Sequence, residues 1–582
     1  MIRICLTLLA AALLLPAPAS AEQLRWSGVE HVVAFADVHG AYDELVMLLR
    51  RTGVIDENNA WSGGNTHVVS TGDLVDRGAD SRKVMDLLMR LQSEAQQAGG
   101  RMHVLLGNHE VMNLTGDLRY VSSREYLAFA DAEPAGVRES ALADFVAANM
   151  TDPALAEAEF DRLHPPGYFG HRAAFSPDGY YGRWLLGLPL LIVIDRTAFT
   201  HGGLPPLVAS EGLEQVNATL TSELEQFVRL WHELMALGVV KANGDAHKAA
   251  SRLERQLATV ATPPEHAEMI NEFVRLSRSD IFDADGPLWY RGSALCHPVL
   301  ETGVIAAALD RLGAGRVVVG HTVTRDYRVD RRLDDRVIVM DTGMLNDFYG
   351  GVPAILTIDN GTANVTYAGE HSKALLPAGD ELQRILANNE VSSFDSETGV
   401  VELAGGVQAR FVPRPDHARE LAAYRLDRML GLGLVPVTVQ RRIGSNRGAL
   451  SARPPGYIDE KERSESNRPV TPVCARGNPF NLMYAFDALT MNEGRTRAGM
   501  LYHGPAMSLA ITGFARAFGS GTGLPGYLQQ AEVALPAELA RRLETLDAAG
   551  LETELGKLIS KRQRKAILTR RDEILATWPR TP

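Results

Sequence analysis

Asp37-Val38-His39-Gly40, Gly72-Asp73-Leu74-Val75-Asp76-Arg77-Gly78 and Gly107-Asn108-His109-Glu110 follow one another in the first fifth of the chain. Each comes directly after an apolar, β-branched run: His31–Ala36, His67–Thr71 and Met102–Leu106. Asp73 follows Asp37 by 36 residues (73 − 37) and Asn108 follows Asp73 by 35 (108 − 73), each about one strand-helix-strand unit. Asp43–Arg51 and Ala79–Gln97, with helical periodicity, fill the gaps. The pattern is βαβαβ and predicts a parallel sheet in an α/β fold. Loops after consecutive parallel strands lie side by side at the carboxyl edge of the sheet. Asp37, His39, Asp73 and Asn108 are therefore expected to converge, an oxygen and imidazole set suited to two divalent metals. A carboxylate can bridge two cations, and Asp73 stands in the middle.

Four ligands do not fill two coordination spheres. His201, in Thr200-His201-Gly202-Gly203-Leu204, and His321, in Val319-Gly320-His321-Thr322, also follow strand-like runs and complete the expected set. Glycines beside both are expected to let the backbone crowd the metals. Arg77 and Arg291, the latter in Leu288-Trp289-Tyr290-Arg291-Gly292, are the candidate phosphate-binding cations, because a guanidinium grips two phosphate oxygens at once. His109 is the candidate proton donor to a leaving oxygen and Asp76 its partner, with Glu110 as an alternative that better suits loop support. Asp341-Thr342-Gly343 also ends a strand; a plain turn is the better reading and support behind the metal ligands the alternative.

The series DVHG, GDLVDRG, GNHE, HGGL and GHT resembles the phosphoprotein phosphatase family within the calcineurin-like metallophosphoesterases. Trp289-Tyr290-Arg291-Gly292 and the helical insertion after Asn108-His109 are most similar to the bacterial, Shewanella-like branch. The resemblance spans about residues 25–370. It implies a β-sandwich flanked by helices and a dinuclear centre, with metal one on Asp37, His39 and Asp73 and metal two on Asp73, Asn108, His201 and His321. It also implies the His109–Asp76 pair. Manganese, iron or zinc suits such ligands. The expected activity is phosphomonoester hydrolysis by hydroxide generated at the metals, on phosphorylated serine, threonine or tyrosine of proteins. A phosphodiesterase or dinucleoside-polyphosphate hydrolase is the enzymatic alternative, and a phosphate-sensing scaffold the non-catalytic one.

The remaining sequence frames that reading. Arg3, the apolar Ile4–Leu15 and Ala19-Ser20-Ala21 have the form of a secretory signal over residues 1–21, which points to export to a bacterial periplasm without stable membrane insertion. A net charge of −12 argues against a nucleic-acid partner. Of the three cysteines, Cys5 lies in the signal, so Cys296 and Cys474 could form at most one bridge. The segments Arg119–Asp178 and Glu211–Asp280 carry helical stretches between the motifs and are expected to cap the cleft.

A boundary is expected near 372, with 373–582 a helix-rich accessory domain in which Gly444–Pro472 is a long loop and Lys557–Arg571 a solvated cationic helix face. Within Gln408–Gly519, Glu420, Phe486-Asp487-Ala488-Leu489 and Asn492-Glu493-Gly494-Arg495 resemble the kinase-like folds of HipA and lipid-kinase relatives. Gly494 stands where that pattern has an aspartate, and Thr512 or Gly513 where it has a metal-binding one. The resemblance thus implies a degenerate domain that binds a partner or regulates.

Overall fold

The β-branched runs form strands because branched side chains pack well on a pleated surface buried on both faces. In the computed structural model, which describes residues 23–148, 153–241, 244–259, 265–324, 327–333, 335–368, 379–453, 457–466, 479–503, 508–529, 531 and 533–581, His31–Phe35, His67–Ser70 and Arg101–Val104 pair in parallel. The helices Tyr42–Arg51 and Ser81–Gln97 connect them. Ala354–Asp359 and Thr362–Tyr367 extend this sheet antiparallel on the side of His31–Phe35.

A second sheet runs in the order Arg25–Trp26, Leu191–Ile194, Thr197–Thr200, Arg316–Val319, Val337–Val339, Asp330–Arg332. The two sheets stack. Period-two alternation divides each strand's side chains: Val32, Ala34 and Val69 meet Ile192, Phe199, Val318 and Ile338 between the sheets. Val33, Phe35 and Val68 face the flanking helices with Leu45, Leu49 and Leu88. The result is a helix-flanked β-sandwich. Its motif loops emerge together at the carboxyl ends of the strands.

The insertions are helical. Val137–Ala148 and Pro153–Leu163 lie in the first. Leu213–Ala236, Ala246–Leu257 and Ala267–Leu276 form the second, around a separate core of Phe227, Trp231 and Phe273. The signal-like segment 1–21, Cys474 and the expected boundary near 372 lie outside the described residues.

Residues beyond 379 differ in part from expectation. Helices are abundant, but they share this region with a five-stranded antiparallel sheet ordered Val391–Phe394, Val400–Leu403, Val407–Pro413, Asn446–Ala452, Thr438–Ile443. The expected loop Gly444–Pro472 contains the strands Asn446–Ala452 and Tyr457–Asp459 and the helix Glu460–Glu465. Its Gly, Ser and Arg content masked the alternation that lets Leu450 and Ala452 bury against Val401 and Phe411. The cationic run is not simply solvated either. On the helix Lys561–Thr577, Arg570 is buried and donates to the carbonyls of Leu489 (3.0 Å) and Gly519 (3.1 Å), capping backbone that would otherwise be unsatisfied. Asp487 and Arg495 form a buried ion pair at 2.6 Å, and Tyr527 donates to the same carboxylate. Asp487, Asn492 and Arg495, which suggested a kinase-like fold, are thus engaged with one another, while Glu420 accepts from the Phe514 N–H (2.7 Å). Among the described residues no helix is long and apolar enough to cross a membrane.

Candidate metal centre

Asp37, His39, Asp73, Asp76, Asn108, His109, His201 and His321 are all buried at the carboxyl edge of the sandwich. Five residues of these loops hold a left-handed backbone: His39 (φ 47°), Asp73 (55°), Asp76 (72°), Arg77 (67°) and His321 (63°). L-residues adopt this conformation at a cost, and such strain concentrates where side chains must be aimed. The loops are over-determined. Val38 and His39 donate their N–H groups to Asp73 O, at 2.8 and 2.9 Å. The Glu110 carboxylate accepts from the N–H groups of Asp73 (2.9 Å), Leu74 (2.7 Å) and Gly107 (2.8 Å). Glu110 therefore supports the loops and does not pair with His109.

Two clusters share Asp73. One joins His39, Asp73 and His109; the other joins Asp73, His201 and His321. His39 donates Nδ1–H to Val75 O (2.8 Å), and His201 donates Nδ1–H to Thr71 O (2.9 Å). These bonds fix the tautomers and leave both Nε2 lone pairs facing inward. His39 Nε2 stands 3.7 Å from Asp73 and 3.9 Å from Asp37. His201 Nε2 meets Asn108 Oδ1 at 2.8 Å and Asp73 Oδ1 at 3.3 Å. Among the described residues, His321 Nε2 is buried without a hydrogen-bond partner. Acceptors pressed together in this way need a cation or a proton between them. Although burial opposes it, Asp73 and Asp37 drive the His201 pKa up to about 9. Burial and Asp73 push Asp37 upward. The donor set and its unpaired atoms fit divalent cations on Asp37, His39 and Asp73 and on Asp73, Asn108, His201 and His321. A Cβ on Gly320 would sit 2.4 Å from Asp37 Oδ1, and one on Gly107 2.4 Å from Asp73 Oδ1, so both positions hold the carboxylates against bare backbone. Gly202 and Gly203 act elsewhere than expected: added Cβ atoms would strike Pro287 O and Ser293 Oγ, not the centre.

His109 Nδ1–H donates to Asp76 Oδ2 at 2.5 Å, and Asn113 donates to Asp76 Oδ1 at 2.9 Å. Burial lowers the His109 pKa, but Asp73 and the hydrogen-bonded Asp76 outweigh it and hold it above the ordinary value. Arg77 reaches into the pocket and donates to His39 Nε2 and the Tyr349 hydroxyl. Arg291 lies half-buried and donates to His321 O (2.9 Å) and Thr322 Oγ1 (3.0 Å), while burial lowers its pKa.

Four residues join the site that motif reading missed or placed elsewhere. Asp341 accepts the Gly343 N–H (3.0 Å), as the expected turn requires, but it is also buried against Asp37 and raised well above the usual carboxylate range by burial and that neighbour. Tyr120, Phe348 and Tyr349 surround the Arg77 guanidinium at 5.3, 5.6 and 5.3 Å from their ring centroids. The strand-terminal Asp-Thr-Gly was the one signal for Asp341. Tyr120 sits in a turn and Phe348 and Tyr349 on the short helix Asn346–Tyr349, none of them in a motif.

Residues 30–325 match the calcineurin-like phosphoesterase family. The Shewanella-like protein phosphatase 2 of Arabidopsis thaliana is 27% identical over 358 residues, covering 59% of this chain and 79% of that protein. The Shewanella-like protein phosphatase 1 of Plasmodium berghei is 24% identical over 344 residues, covering 58% and 74%. Among solved structures, the cold-active protein-tyrosine phosphatase of a psychrophilic Shewanella is similar at 24% identity, covering 59% of this chain and 82% of that one with a TM-score of 0.39. The match over half of the chain, on the loops that build the buried centre, identifies this protein as a member of the calcineurin-like phosphoesterases, metal-dependent phosphoester hydrolases, with Shewanella-like protein phosphatases among its relatives.

Proposed function

We propose that the centre hydrolyses phosphomonoesters of proteins and favours phosphotyrosine. One observation carries the reading: His109 Nδ1 is committed to Asp76 (2.5 Å) while its Nε2 lies 3.9 Å from Asp73, the residue common to both clusters. A pure phosphate binder has no use for a proton donor at that point. Two divalent cations on the assigned ligands would supply Lewis-acid polarisation of the phosphoryl oxygens and an acidified water. The chain's own residues do the rest. Arg77 and Arg291 bind the non-bridging oxygens and balance their charge as it spreads. His109 gives its Nε2 proton to the leaving oxygen, and Asp76 fixes the ring and favours the imidazolium before transfer. Tyr120 stands 5.1 Å from the His109 ring and, like Phe348, is exposed beside Arg77; these rings support an aromatic leaving group. Export to an oxidising compartment is supported by the signal-like N-terminus and by Cys296, which is disulfide-bonded.

Kinetics of the manganese-loaded protein on phosphotyrosine, phosphoserine and phosphothreonine peptides, a phosphodiester and a dinucleoside polyphosphate test the proposal. The expected order of kcat/KM is phosphotyrosine first and diester last. His109→Ala should lower kcat on the best peptide by roughly 10²–10⁴-fold, the usual contribution of general acid catalysis. A preference for the diester or polyphosphate would favour the alternative hydrolase.

A further inference from the structure

We infer that the C-terminal region positions the phosphate-binding Arg291, with His297 as the positioning residue; this rests on the phosphate-binding role of Arg291 proposed above. Arg291 precedes the short helix Gly292–Leu295, and Cys296 and His297 join that helix to Pro298–Leu312. Each end of this connection is held. Arg332 donates to the carbonyls of Ser293 and Cys296, tying down the helix that begins at Arg291. His297 holds both neighbours at once: its Nδ1 accepts from Val299 N at 3.2 Å, capping Pro298–Leu312, and its Nε2–H donates to Leu432 O. One donor and one acceptor require a neutral ring, and burial keeps His297 neutral by lowering it to about 4.

Leu432 belongs to the C-terminal region, just after the helix His417–Leu430. That helix end is itself fastened by Arg542, which donates to Leu430 O (3.1 Å) and Gly431 O (2.7 Å). Val299 is buried in the C-terminal core with Leu426, Leu430, Leu432 and Leu539, not in the sandwich core. A core from outside the phosphoesterase match therefore grips the chain six residues beyond Arg291 (297 − 291). Loosening that grip frees the arginine while leaving the His109–Asp76 pair and the metal ligands in place. Its signature is weaker binding of phosphate and, because Arg291 also balances the charge as it spreads, a lower kcat/KM.

The test uses the full-length, manganese-loaded protein with His297→Ala, His297→Gln and Val299→Asp. Readouts are KM and kcat on p-nitrophenyl phosphate, inhibition by inorganic phosphate, and amide hydrogen exchange of residues 289–296 and 108–115. His297→Ala and Val299→Asp should raise the phosphate inhibition constant by about fivefold and lower kcat/KM by at least as much. Exchange should quicken in 289–296 and stay unchanged in 108–115. His297→Gln, which retains a donor for Leu432 O, should restore most of the affinity. Unchanged kcat/KM and unchanged exchange in both disruptive variants would overturn the inference, and so would equal loosening of the two segments. If the wild-type protein cleaves no phosphoester, the functional reading falls, while hydrogen exchange still decides whether the C-terminal region holds the loop.

Discussion

At the scale of single residues, the site works by opposing burial with charge. His109 lies where desolvation alone would keep it neutral, yet Asp73 and Asp76 hold its proton above the ordinary imidazole value of 6.5. In the proposed role the acid form is the active one, so kcat falls as pH rises through this pKa. Asp76→Asn removes one of the two carboxylates that outweigh burial. Its expected effects are a lower kcat and a limb displaced to lower pH, read from kcat against pH on an aryl phosphate. An unmoved limb would remove His109–Asp76 from the proton transfer. These residues could be read from sequence because each sits in a short motif after a strand. Tyr120, Phe348 and Tyr349 could not, because their role depends on where distant loops meet around Arg77.

At the scale of elements, the strand ends supply the candidate ligands and the connecting helices supply support. Pro298–Leu312 carries an internal marker of its environment: Glu301, which accepts from the Tyr290 hydroxyl at 3.0 Å and which burial pushes up to about 7. The folded protein retains this proton between pH 4.5 and about 7, whereas the unfolded chain releases it, so stability falls as pH rises across that window. The loss is on the order of 3 kcal/mol for a shift of this size. Glu301→Gln should flatten the decline in denaturant titrations between pH 5 and 7; an identical slope would show that Glu301 does not cause it.

Element reading succeeded where hydrophobic pattern and motif coincided, as in His31–Phe35 followed by Asp37. It failed in Val407–Pro413, Thr438–Ile443 and Asn446–Ala452, where Arg441 and Gly448 share the apolar face of an antiparallel sheet with Phe411, Val439 and Leu450 and dilute the alternation. It also failed at Arg570, whose burial follows from tertiary packing and not from the charge of its helix.

At the scale of the molecule, a sandwich that gathers buried ligands is joined through Pro298–Leu312 to a region that the phosphoesterase match does not reach. The proposed two-metal centre depends on Asp73 serving both cations. Elemental analysis of metal bound per chain after reconstitution with manganese, for wild type and Asp73→Asn, measures this directly. Two ions per wild-type chain and near-complete loss of both in Asp73→Asn, with the fold intact by circular dichroism, is the predicted result. Two ions retained by Asp73→Asn would contradict it.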